Sequence, residues 1–202
     1  MPLRVDFDRD LWLYIPTEWP WMGYPTLENW RDAVVAALAD AYGYDAATRD
    51  WLSATLEGMV RGAGEGEERF AYLGRPHESI GMVSLYEWAT LAESSLDDLL
   101  GVTDGASVRP PVVSPIEGAG LGPGTKAVRF TTEAAPEASS APAVVGVAHW
   151  VWRLPDRDVI LIAGDSDLVR FDERQPAFDD LARSISLVSD DSQSAREEGN
   201  TR

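Results

Sequence analysis

Val144-Val-Gly-Val-Ala-His-Trp-Val-Trp152 and Val159-Ile-Leu-Ile-Ala163, joined through Arg153-Leu-Pro-Asp-Arg-Asp158, decide the fold of this 202-residue chain. Both runs are apolar at odd and even positions alike, as strands covered on both faces must be. Pro155-Asp-Arg-Asp between them suits a hairpin turn. A sheet of this kind needs helices to bury it, and the rest of the chain offers them.

Upstream, Asp10 to Pro16 reads as a short apolar strand closed by Pro16, and Thr17 to Pro25 as a rigid loop holding Trp19, Trp21 and two prolines. Thr26 is placed to cap a helix carrying Leu27, Trp30, Val34, Val35, Leu38 and Tyr42 on one side, ended by Gly43. Asp45 is placed to cap a second, with Trp51, Leu52, Leu56, Met59 and Val60 on its buried face and Gly62 at its end. The two read as an antiparallel hairpin. From Arg69 the period becomes two: Phe70–Leu73 and Ile80–Leu91 read as adjacent strands around a Gly74-Arg-Pro-His turn, with Ile80, Met82, Tyr86 and Trp88 on one face. Glu93 to Leu100 suits a short helical turn, Val108–Ile116 an edge strand because of its prolines, and Lys126–Thr132 another strand. Glu133–Pro142 reads as a surface loop, and a last helix is expected from about Pro176, with Phe178, Leu181, Ala182 and Ile185 inward. The order predicts an α+β fold, an antiparallel sheet of five to six strands sandwiched with helices. It fills a single domain over residues 1–188, followed by a disordered acidic tail over 189–202.

The chain holds 34 acidic residues against 17 Lys and Arg, a formal charge of −17, and its one lysine is Lys126. The tail contributes only −2 of this, so the domain itself carries −15, and Pro76 to Val108 contains no Lys or Arg. A field of that sign repels phosphate backbones and anionic lipid, so no nucleic-acid partner is expected. No apolar run approaches the ~20 residues that span a bilayer, so no membrane insertion is expected, and the polar start predicts a cytoplasmic chain. Absence of cysteine removes disulfides, thiolate metal sites and cysteine nucleophiles.

Two segments resemble the PsbP-like superfamily, which includes the extrinsic photosystem II subunit, a Ran-binding nuclear import factor, actinobacterial lipoproteins and small chaperones of type VI secretion effectors. They are Leu11-Trp-Leu-Tyr-Ile-Pro-Thr-Glu-Trp19, then Val159-Ile-Leu-Ile-Ala-Gly-Asp-Ser-Asp167 with Phe171 and Phe178-Asp-Asp-Leu-Ala-Arg-Ser-Ile185. They cover roughly a fifth of the chain, and the two helices between Thr26 and Gly62 depart from the family's usual one. The resemblance implies an antiparallel sheet between helical layers and a role in binding other proteins, with a link to secretion or toxin delivery.

Motifs of chemistry are sparse. Gly164-Asp-Ser166-Asp167 is similar to the serine block of GDS-type esterases, yet both histidines, His77 and His149, precede it, and a polar strand-to-loop turn is the better reading. Asp165 with Asp167, and Asp156 with Asp158, lack the further oxygen ligands of a calcium loop. The glycines from Gly118 to Gly124 lead into a strand rather than the helix a phosphate loop needs. His149 alternates with Val147 and Val151 and is expected to face an apolar layer with one hydrogen bond. Asp97-Asp98 and Asp179-Asp180 are neighbours that diverge by ~100° on a helix and are expected on solvated faces.

No catalytic, cofactor or metal residues are therefore assigned, and no cofactor is expected. The expected function is non-catalytic protein binding, as adaptor, chaperone or accessory factor. Its partner would offer an apolar helix or a basic surface to Trp19, Trp21, Tyr24 and Trp88 and to Glu93, Asp97 and Asp98. An immunity protein against a basic toxin is the alternative, and a serine hydrolase at Ser166 the third reading. Oligomeric state is left open.

Overall fold

The computed structural model describes residues 1–74, 79–91, 93–103, 105, 107–133 and 143–188. In chain order the elements are β1 Leu3–Val5, β2 Trp12–Ile15, α1 Leu27–Tyr42, α2 Ala46–Arg61, β3 Glu68–Tyr72, β4 Gly81–Ala89 and α3 Leu96–Leu99. They continue with β5 Val112–Ile116, β6 Gly124–Glu133, β7 Ala143–Arg153, β8 Arg157–Asp165, α4 Leu168–Arg183 and β9 Ile185–Leu187. They fall into two compact units, Arg9–Glu87 and Met1–Asp8 with Trp88–Arg202. The expected turn at residues 75–78, the loop over 134–142 and the tail over 189–202 lie outside the described residues.

In the unit Arg9–Glu87, local chemistry sets the helix ends. The Thr26 side chain accepts from the Asn29 N–H and begins α1; the Asp45 side chain accepts from the Thr48 N–H at 2.8 Å and begins α2. Gly43 closes α1 at φ 69°, a left-handed conformation costly for a residue with a Cβ. Arg31 near the start of α1 pairs with Glu57 near the end of α2 at 2.8 Å, so the helices run antiparallel as expected. Trp30, Ala39, Leu52, Leu56 and Val60 are buried with Tyr44, Ile15 of β2 and Ala71 of β3. Each fully buried leucine here contributes on the order of 1.5–3 kcal/mol. Trp51 is not among them: it is 39% exposed, because the buried stripe of α2 follows Leu52, Leu56 and Val60. β2, β3 and β4 pair antiparallel, with Tyr14 opposite Phe70 and Phe70 opposite Val83. In β4 it is Val83 and Leu85 that are buried, whereas the Met82, Tyr86 and Trp88 side is more open.

In the second unit β8, β7, β6 and β5 pair antiparallel in that order, with β5 at the edge as its prolines require. The β7–β8 pair is covered on both faces. On one, Trp150 meets Phe178 of α4 edge-on at 6.4 Å, and Phe171 of α4 meets Phe130. On the other, Ala127, Val151 and Ile160 pack with Leu100, Leu99 and Val102 at the end of α3. Gly146 is required under α4, since a Cβ there would stand 2.5 Å from the Phe171 ring.

The fold is α+β with antiparallel sheet structure and helices, but besides the short β1 and β9 it has three paired strands in the unit Arg9–Glu87 and four in the second unit, seven where five to six are expected. A further ribbon, β1 with β9, pairs Leu3 with Leu187 and Val5 with Ile185. Its three-residue strands carry no periodic signal of their own. The last helix also starts earlier than expected. Asp167 caps it by accepting from the Val169 and Arg170 N–H groups, and Pro176 lies inside it. Pro176 and Asp172, four residues before it, are both exposed, so the carbonyl that loses its partner lies on the water side. None of the described helices is long and apolar enough to cross a membrane.

Candidate functional site

The loop after β2 turns back on itself at Trp21-Met-Gly-Tyr24. The Trp21 N–H donates to the Tyr24 carbonyl at 2.9 Å and the Tyr24 N–H to the Trp21 carbonyl at 2.7 Å. Both central residues have positive φ, 41° at Met22 and 90° at Gly23. Glycine accepts this freely, but methionine does so at a cost in backbone strain, and Met22 is 78% exposed. The turn lays the Trp21 ring parallel to Tyr24 at 6.4 Å and to Tyr14 of β2 at 5.8 Å, an aromatic ladder of three half-buried rings. Tyr14 rests edge-on against Phe70 of β3. Trp19 goes the other way, against Trp30 of α1 at 6.1 Å. Both tryptophans flanking Pro20 are thus half-buried and pack against the core beneath the helices, Trp19 beside Trp30 and Trp21 within the ladder.

Beside the ladder lies a cavity of about 320 Å³, lined by Tyr14, Thr17, Glu18, Trp21, Gly66, Glu67 and Glu68.

 Tyr14 and Glu68 share the face of β2 and β3 opposite Ile15 and Ala71, so strand pairing brings them together. Burial, then the charges of Glu68 and Glu18, push the Tyr14 hydroxyl above its ordinary pKa. Burial and the nearby Glu87 raise Glu68 likewise.

Glu67 is different. Burial alone would raise its carboxyl, but hydrogen bonds from Arg69, Ser84 and the Gly64 N–H, with the Arg69 charge, bring it down to about 2. Arg69 also donates to the Met59 and Gly62 carbonyls at the end of α2. The pair is structural: it joins β3, β4 and the end of α2, and it cancels one of the three negative charges lining the cavity.

The other expected partner residues lie in the second unit. Trp88 is 47% exposed near the end of β4. Glu93, Asp97 and Asp98 are exposed, and Asp98 is committed to capping α3, accepting from the Ser95 N–H and hydroxyl and from Thr103. Those bonds hold its carboxyl below the usual range. Glu78 and Asp104 of the stretch without Lys or Arg lie outside the described residues.

Sequence reasoning missed Tyr14, Glu18, Glu67 and Glu68, because nothing local marks them as neighbours. It also placed Asp179 on a solvated face, whereas Asp179 accepts from Lys126 at 2.7 Å and from the Trp150 indole at 2.8 Å. This cluster borders the cleft of about 390 Å³ over β5 and β6, where the lysine and the aspartate satisfy each other.

Ser166 is exposed between carboxylates already in use: Asp165 accepts from the Asp167 N–H and from Arg174, and Asp167 caps α4. His149 is buried, its Nδ1 3.1 Å from the Leu99 carbonyl, as expected of a core histidine; burial and Arg129 lower its pKa. His77 lies outside the described residues. Among the described residues no three His, Asp or Glu side chains gather as metal ligands would. No family model, curated protein or solved structure matches the chain.

Proposed function

We propose that the chain is a non-catalytic protein-binding module, an adaptor, chaperone or accessory factor, that meets its partner at the Trp21 loop. The observation that carries this is the half-exposed ladder Tyr14–Trp21–Tyr24, held by a strained turn and set beside a cavity. Aromatic rings on a rigid loop lose little entropy on binding and commonly anchor interfaces. The resemblance of Leu11–Trp19 and of the segments between Val159 and Ile185 to PsbP-like proteins supports the same reading, and with it a secretion or toxin-delivery setting. The test is affinity capture from the native cell with the wild-type chain, with Trp21→Ala/Tyr24→Ala and with Met22→Glu. A partner held by the wild type and released by both variants is expected. Recovery of the same proteins with all three chains overturns the proposal.

The acid surplus supports a second reading, an immunity protein that neutralises a basic toxin. Association would then be fast and weaken steeply with salt. Affinity for the captured partner that is indifferent to ionic strength removes it.

A further inference from the structure

The cavity at the ladder has a composition that selects its occupant. One wall is aromatic, the stacked rings of Tyr14 and Trp21, and the rim carries Glu18 and Glu68. The charge of Glu67 is met internally by Arg69 at 2.6 Å, while no described cation pairs with Glu18 or Glu68. A cation entering here would meet ring faces and carboxylates together, each attractive to positive charge. A guanidinium suits the arrangement better than an ammonium, because its plane stacks on a ring while its edge donates to carboxylates.

We infer that this cavity receives an arginine side chain presented by the protein partner, packed against the aromatic wall of Tyr14 and Trp21 and hydrogen-bonded to Glu18 and Glu68. The inference rests on the protein-binding reading and names the chemistry of the residue that the partner must offer. The Tyr14 hydroxyl pKa is raised first by burial and then by the charges of Glu68 and Glu18, and this second contribution agrees with a site that attracts a cation.

The test titrates the full chain with a short peptide carrying one central arginine, and with the same peptide carrying citrulline, which keeps the shape and removes the charge. The readout is the Trp21 indole resonance, assigned with Trp21→Phe. The arginine peptide is expected to move it saturably, and the citrulline peptide to bind about 10-fold more weakly, from a few-fold for each lost ionic or cation–π contact. Glu18→Gln/Glu68→Gln, two surface changes that leave the core intact, is expected to weaken the arginine peptide by a similar factor. Equal binding of the two peptides, indifference to the glutamine variant, or shifts confined to other indoles overturns the inference. Failure here is distinguishable from failure of the broader reading. A partner released by Trp21→Ala/Tyr24→Ala with no response to arginine removes the arginine site alone. An arginine response in a chain that captures no partner keeps the site and removes the protein-binding reading.

Discussion

Replacing Glu67 by Gln tests whether the buried pair with Arg69 stabilises the unit Arg9–Glu87. The side chains of Glu67 and Arg69 are 2% and 9% exposed, so solvent screening is slight. A pKa held at about 2 instead of 4.5 corresponds to roughly 3 kcal/mol, at about 1.36 kcal/mol per pH unit. Gln keeps the shape and some hydrogen bonds but leaves the Arg69 charge buried without its counterion, a change that costs on the order of 3 kcal/mol. The sign follows from the depressed pKa: the stabilisation is complete above 4.5 and is lost as pH falls from there toward 2. At about pH 3, roughly 2 kcal/mol of it is already gone by linkage. Urea unfolding followed by tryptophan fluorescence should therefore show Glu67→Gln about 3 kcal/mol less stable near neutral pH, with the gap narrowing to about 1 kcal/mol near pH 3. A gap that is absent at neutral pH, or that stays constant on acidification, refutes the reasoning.

Gly146→Ala drives a methyl group into the Phe171 ring and should destabilise the second unit by about 1–3 kcal/mol, read from the urea midpoint. Asp167→Ala removes the cap of α4 and should cost about 1 kcal/mol in the same assay, whereas Ser166→Ala, at an exposed position, should change stability by less than about 0.5 kcal/mol.

The helix hairpin was legible because its signals are local. Thr26, Gly43 and Asp45 act on backbone groups three or four residues away, so residue type and spacing suffice. The β7–β8 pair was legible because apolar residues on both faces of a strand demand cover. Asp167 shows the limit of such reasoning: its capping role was present in the sequence, but the proline at 176 drew the helix start to itself.

The sequence by itself determined the α+β class, the helix boundaries at Thr26, Gly43 and Asp45, and the acidity of the domain, since these depend on composition and on neighbours along the chain. Tertiary structure alone decided that Tyr14 would stand beside Glu68, that Asp179 would hold Lys126, and that Leu3 would pair with Leu187. Each of these joins residues far apart in sequence through strand register or helix packing. That arrangement is set by the combined burial of many side chains, and no short stretch of sequence encodes it.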